Sequence, residues 1–245
     1  MWLETSPSQS ADSEALFNEE ADSPSASSGL LKGMQMENGN EKTPVLEDVR
    51  QVSDGWLKKY VLAYRLPDGT KFEYESVSRK DKEAYERELK GNSSNNQKRG
   101  DPDAICIVPV LPDGSIVLIR EFRYAINDWI IAFPAGLMEP DEDIGTCIER
   151  ELLEETGCKL RGNPDDAIAL LPQSGYSSVG MTNENVMIAK AFVEPIGEQH
   201  LEHSEFIEIF TLRREEIDDF LENNEDPIGT RCQLVLECLR KHGVF

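Results

Sequence analysis

The stretch GLMEPDEDIGTCIERELLEETGC, Gly136 to Cys158, combines an apolar helical face with an acidic one. Ile144, Cys147, Ile148 and Leu152 recur at spacings of three and four, so a helix through them would pack that face on a sheet. Glu151, Glu154 and Glu155 recur at the same spacings on the other face and stack three carboxylates together. Asp141 reads as the N-cap, with the helix beginning near Glu142 and acids in its first turn, and Gly157 reads as its stop. Like charges at these spacings oppose the helix by roughly a few tenths of a kcal/mol per pair, and the acids also crowd the negative end of the helix dipole. Either something positive sits on this face, or the face is wet enough to screen the repulsion.

The rest of the chain narrows what that positive partner is. At 245 residues there is room for one sizeable domain and a smaller one. Acids outnumber bases 47 to 25, a formal charge of -22, which repels nucleic acid backbones and anionic membranes. Neither is expected as a partner. Five cysteines, Cys106, Cys147, Cys158, Cys232 and Cys238, are widely spaced with no CxxC pair, as suits a reducing cytoplasm. No secretory signal and no apolar run of membrane-spanning length is found, so a soluble cytoplasmic protein is expected.

Residues 1–44 hold eight acids, two bases and many serines, with almost no apolar periodicity, and read as a disordered tail. Residues 45–97 read as an N-terminal β-hairpin region and linker: WLKKYVLAYRL and KFEYESVSR flank the turn PDGT, then a helical KDKEAYERELK leads into a polar loop. Residues 98–245 read as the main domain. AICIVPVL and SIVLIREFR flank a second PDG turn, WIIAFPAGL is a further strand, and VMIAKAFVE and FIEIFTL follow the acidic helix. REEIDDFLEN and RCQLVLECLRKHG read as closing helices. This order predicts an α/β sandwich, a sheet covered by helices on both faces.

Clustered glutamates are hard oxygen ligands and suit Mg²⁺ or Mn²⁺ rather than zinc. Such a site would take a phosphate compound through the metal and activate water for hydrolysis. A merely solvated charged face is the ordinary alternative for any three nearby glutamates. The wider spacing decides between them. Gly136, five residues, Glu142, seven residues, then Arg150, Glu151, Leu152, any residue, Glu154, Glu155, any residue and Gly157 resembles the Nudix box at every polar and glycine position. Cys158 is the weak match, smaller than the usual aliphatic residue.

The resemblance implies the Nudix fold, with a mixed sheet in an α/β/α sandwich, and hydrolysis of a nucleoside diphosphate linked to another moiety. By the same resemblance Glu151 and Glu155 are metal ligands with Glu154 close by, the carbonyl of Ala135 joins them, Arg150 holds the carboxylates in place, and Gly136 lies against the substrate. From about Val49 onward the order of hairpin, helix, VPVL, REFRY and FPAGL is similar to the ADP-ribose pyrophosphatase branch, which implies a homodimer and a nucleoside diphosphate sugar as substrate. Trp56 and Tyr74 match aromatic residues that stack on the nucleobase there, and Arg79 and Arg123 match basic residues that contact phosphates. Hairpin packing for the aromatic pair and simple solvation for the arginines are the plainer alternatives. Glu205 matches the glutamate that serves as base for the attacking water, with Glu202 its rival; His200 and His203 are read as bystanders.

Two departures bear on specificity. Val179 stands where the branch carries proline, followed by Gly180 and Glu184, and the segment from Asp81 to Asp103 is longer than the branch leads one to expect. The expected reaction is ADP-ribose to AMP and ribose 5-phosphate. GDP-mannose, UDP-glucose or 8-oxo-dGDP as substrate, or a silent nucleotide-sugar-binding module, are the competing expectations.

Overall fold

The computed structural model describes residues 43–92 and 101–242. All but Thr43 and Pro44 of the tail expected over 1–44, and most of the polar loop after Lys90, therefore lie outside the described residues. In chain order the elements are β1 (Val45–Gln51), β2 (Lys58–Arg65), β3 (Lys71–Ser78), α1 (Lys82–Asn92), β4 (Ala104–Val110), β5 (Ile116–Arg123), β6 (Asp128–Ala132), β7 (Ala135–Leu137) and α2 (Ile144–Thr156). They continue as β8 (Cys158–Leu160), α3 (Pro164–Ala167), β9 (Ile168–Leu170), β10 (Gly175–Tyr176), β11 (Asn185–Pro195), β12 (Ile207–Leu212), α4 (Ile217–Asn223) and α5 (Thr230–His242). The α/β class expected from the sequence is the one the chain adopts.

Both PDG turns form as read, and by the same physics. Gly69 and Gly114 sit at φ 84° and 85°, where a side chain is strained, and each donates its N–H back to the leucine three residues earlier. Asp68 and Asp113 each cap the turn by accepting from the N–H two residues on.

Two compact units result. The smaller comprises the described residues 43–92 and 101–103 together with Gly175–Val186. Its antiparallel sheet runs β1-β2-β3, and Tyr85 of α1 packs with Val49, Tyr60 and Leu62 of the sheet. The rings of Tyr60 and Tyr85 lie 4.9 Å apart. The later segment is clasped to β3: Val77 donates its N–H to the Met181 carbonyl at 2.9 Å and the Tyr74 hydroxyl donates to the Gly180 carbonyl at 2.6 Å.

The larger unit comprises Ala104–Ser174 and residues 187–242. Its sheet runs β11-β4-β5-β12, with β6 beside β5, β7 beside β4, and β8 and β9 beside β11. Ile105 and Ile107 of β4 and Ala189, Ala191 and Val193 of β11 pack against Cys147, Ile148 and Leu152 of α2. Burying an aliphatic side chain stabilises by about 1.5–3 kcal/mol, so this apolar face holds the acidic helix in place. Cys106, on the alternate face of β4, neighbours Cys232 of α5.

Two local expectations need correction. Asp143, not Asp141, caps α2: Asp143 has extended backbone (φ -83°, ψ 161°) and accepts from Thr146 N–H, whereas Asp141 sits at φ 64° in a left-handed turn. The first turn of α2 consequently carries no acid, and Glu142 lies ahead of the helix. WIIAFPAGL is not one strand but two, β6 and β7, broken at Phe133–Pro134, because Pro134 has no N–H to give a ladder. Its carbonyl accepts from Ile107 N–H at 2.8 Å.

Candidate active site

The ends of α2 are held on both sides. Asp143 caps the start, and at the other end Gly157 takes φ 62° and donates its N–H to the Leu153 carbonyl. A Cβ at 157 would come within 2.5 Å of the Gly197 carbonyl oxygen, so glycine is required there for space as well as conformation. The loop that follows β11 is tied back to the helix: Gln199 donates its amide to the Glu155 carbonyl at 2.6 Å, and His200 donates its N–H to the Glu154 carbonyl at 2.8 Å.

Within that frame Glu151 and Glu155 are buried, at 7% and 5% exposure, while Glu154 faces outward. Gly136 on β7 explains how Glu151 fits: a Cβ at 136 would overlap the Glu151 carboxylate outright. Glu155 accepts the Ala135 N–H at 2.9 Å. Arg150 turns back over the helix and grips Glu142 with Nε at 2.9 Å and Nη2 at 3.0 Å, Glu151 at 2.6 Å and Glu154 at 3.3 Å. It also donates to the Leu137 carbonyl at 3.0 Å. Five carboxylate and carbonyl contacts on one planar guanidinium make it the organiser of this face.

One further acid joins them that the sequence reading passed over. Glu121 of β5 is 8% exposed and pairs with Arg123 Nε at 2.9 Å. The signal was present: in IVLIREFR the acid falls on the same face as the buried, apolar Val117 and Ile119. Glu205 lies close enough to raise the proton affinity of Glu121, Glu151 and Glu155 alike. Its carboxylate accepts the Glu202 N–H at 2.9 Å, and Glu202 itself is exposed. The side chains of His200 and His203 make no hydrogen bond or ion pair among the described residues.

The electrostatics follow from burial and crowding. Burial, then the neighbouring charge of Glu151, pushes the Glu155 carboxyl up to about 9, against the pull of the Ala135 N–H. Burial also raises Glu151, opposed by Arg150, and raises Glu121, opposed by Arg123. Glu142 goes the other way, held down to about 2 by the hydrogen bonds of Arg150. Among the described residues no three metal-ligating side chains are drawn together into a finished cation cage. The donor set nevertheless fits a hard divalent cation: all-oxygen, buried, and carrying more negative charge than Arg150 and Arg123 neutralise.

Trp56, Tyr74 and Arg79 belong to the smaller unit. Trp56 is 77% exposed, Tyr74 is engaged with the Gly180 carbonyl, and the Arg79 guanidinium is paired with Glu184 at 2.5 Å.

A NUDIX domain model matches residues 100–231, more than half of the chain. The chain belongs to the NUDIX family. It is a NUDIX hydrolase by its relatives as well. An ADP-ribose pyrophosphatase of Saccharomyces cerevisiae is 26% identical over 205 residues, covering 78% of this chain and 80% of that protein. An ADP-ribose pyrophosphatase of Bacillus subtilis is 26% identical over 137 residues, covering 55% and 71%. An ADP-sugar pyrophosphatase of Mus musculus is 28% identical over 134 residues, covering 51% and 55%. These match the branch that the sequence resembles. The crystal structure of an ADP compounds hydrolase shares the fold, with a TM-score of 0.61 at 18% identity over 81% of this chain and 92% of that one.

Proposed function

We propose that this NUDIX hydrolase cleaves the diphosphate bond of a nucleoside diphosphate sugar, with ADP-ribose the first candidate and AMP and ribose 5-phosphate the products. The observation that carries the reading is the pair Glu151 and Glu155, buried on one helix face against Gly136 and Ala135 and crowded by Glu121 and Glu205. The pyrophosphatase relatives supply the substrate class.

Glu151, Glu154, Glu155 and the Ala135 carbonyl would hold Mg²⁺ or Mn²⁺, which when bound polarises the diphosphate oxygens and lowers the pKa of water. Arg150 orients the box carboxylates and limits their mutual repulsion. Glu205, whose carboxylate is steadied by the Glu202 N–H, accepts the proton of the attacking water. The water oxygen bonds to one phosphorus, the bridging P–O bond breaks, and the departing phosphate leaves with the bond pair. Arg123 offers its guanidinium to the diphosphate.

The proposal extends to a homodimer and to a reducing cytoplasm, the latter supported by five free cysteines. Light scattering of the full chain tests the former: twice 27.6 kDa supports it and 27.6 kDa refutes it.

The central test is Mg²⁺-dependent release of nucleoside monophosphate from ADP-ribose, GDP-mannose, UDP-glucose and 8-oxo-dGDP, with wild type beside Glu155→Gln. Turnover of ADP-ribose that the variant loses supports both chemistry and substrate. Turnover of another member alone moves the specificity, consistent with the exposed Val179 where the branch carries proline. Binding without turnover of any member would instead favour a silent nucleotide-sugar module.

A further inference from the structure

Glu121 occupies a position where strand β5 has no packing reason for an acid. Val117 and Ile119, on the same face, are buried and apolar, and the cross-strand partners of Glu121 are Ile207 of β12 and Ile130 of β6. Burying a carboxylate is costly unless it is paired. Its partner is Arg123, two residues on and therefore on the same face, with Nε 2.9 Å from Glu121 Oε1. The Arg123 side chain is 55% exposed, and it makes no other ion pair among the described residues. With the carboxylate engaged on the Nε side of the guanidinium, its two terminal nitrogens remain as a fork that matches two phosphate oxygens.

We propose that Glu121 is a positioning residue: it clamps Nε of Arg123 so that the Nη pair meets the substrate diphosphate. This rests on the reading of Arg123 as a phosphate contact. Glu121 also neighbours Glu155 and Glu205, so an effect exerted through the box acids is the rival route, and the two routes separate experimentally. A clamp on Arg123 governs substrate affinity and vanishes when Arg123 is removed. An effect through the box acids governs turnover and persists without Arg123.

The test is steady-state kinetics on ADP-ribose in Mg²⁺ with wild type, Arg123→Ala, Arg123→Lys, Glu121→Gln and the Glu121→Gln/Arg123→Ala double variant. Arg123→Ala should raise KM on the order of tenfold, the worth of a charge-assisted phosphate contact. Arg123→Lys should match it, since an ammonium keeps the charge but has neither Nε nor a planar fork. Glu121→Gln should raise KM by roughly fivefold with kcat changed far less, and the double variant should be no worse than Arg123→Ala alone. A Glu121→Gln effect that persists in full in the Arg123→Ala background, or that appears in kcat at unchanged KM, overturns the clamp. If Arg123→Ala leaves KM unchanged, the phosphate-contact reading is what fails, and the clamp falls with it. Calorimetric binding of inorganic pyrophosphate in Mg²⁺ makes the same comparison without turnover, and Arg123→Lys probes the clamp from the other side should Glu121→Gln fail to fold.

Discussion

Both units of this acidic chain carry glutamates, and they treat them in opposite ways. In the smaller unit Lys80 bridges Glu88 and Asp103, Arg79 takes Glu184, and Arg65 takes Glu47, so these acids end paired with a cation. Around α2 of the larger unit, six acids, Glu121, Glu142, Glu151, Glu154, Glu155 and Glu205, have fewer cations to share: Arg150 pairs with Glu142, Glu151 and Glu154, while Arg123 pairs with Glu121, which also feels the charge of Arg231. The paired acids are partly exposed and cement a fold. Among the crowded ones Glu121, Glu151 and Glu155 are buried, their proton affinity is raised by burial and by neighbouring carboxylates, and they would be a liability if nothing positive ever joined them. A surplus of buried charge, rather than charge itself, marks the site.

The contrast can be broken most severely at Glu155. Glu155→Gln should lower kcat by roughly 10³-fold, several kcal/mol of transition-state stabilisation, while the fold persists because neutral glutamine relieves the repulsion. Steady-state kinetics beside a thermal melt reads both, and an unaffected kcat would sink the metal reading. Next in size is Gly136→Ala. The added methyl must displace the Glu151 carboxylate, and activity should fall by about 10²-fold, a misplacement of the order that 1 Å errors produce in active sites. Serine at the same position should do no better.

A third prediction sets the two units directly against each other. Arg150→Ala strands Glu142 and Glu151, both mostly buried, and should destabilise the larger unit by about 3 kcal/mol. Lys80→Ala, a third exposed, should cost about 1 kcal/mol after solvent screening. Urea denaturation of the two variants gives the comparison, and equal losses would erase the distinction drawn between the regions.

The last prediction is a pH dependence. The folded pKa of Glu155 is raised from 4.5 to about 9, so its contribution to stability is fully present below pH 4.5 and is lost as pH rises toward 9. In chelator the melting temperature of wild type should therefore fall between pH 6 and pH 9 relative to Glu155→Gln. Glu142 has the opposite sign: its pKa, lowered from 4.5 to about 2, contributes above pH 4.5 and is lost as pH falls toward 2. Mg²⁺ should flatten the alkaline decline, because cation and proton compete for Glu155. A melting profile indifferent to both pH and Mg²⁺ would contradict the crowded-acid account.

Much of this was legible from local spacing. The helix, its stop at Gly157, the three box glutamates and the partner Arg150 all lie within one short stretch, where i, i+3 and i+4 geometry follows from the backbone alone. The PDG turns were legible for the same reason, since glycine supplies the φ that both require. Misreadings arose where two local candidates were equivalent in composition. Asp141 and Asp143 are both credible caps, and only the backbone path into the helix, left-handed at Asp141 and extended at Asp143, chose between them.

The sequence by itself determined the chemistry: which residues are acidic, that a helix stacks them, and that the pattern is a NUDIX box. The tertiary structure alone decided who stands next to whom. It brought Glu121 and Glu205 from β5 and the loop before β12 to the box acids, tied Gln199 to the helix, and occupied Arg79 and Tyr74 with the 177–184 segment of the smaller unit. The reason is physical. Helical spacing is a property of consecutive residues, whereas burial, which turns an ordinary carboxylate into one that holds its proton to about pH 9, depends on contacts far apart in the chain.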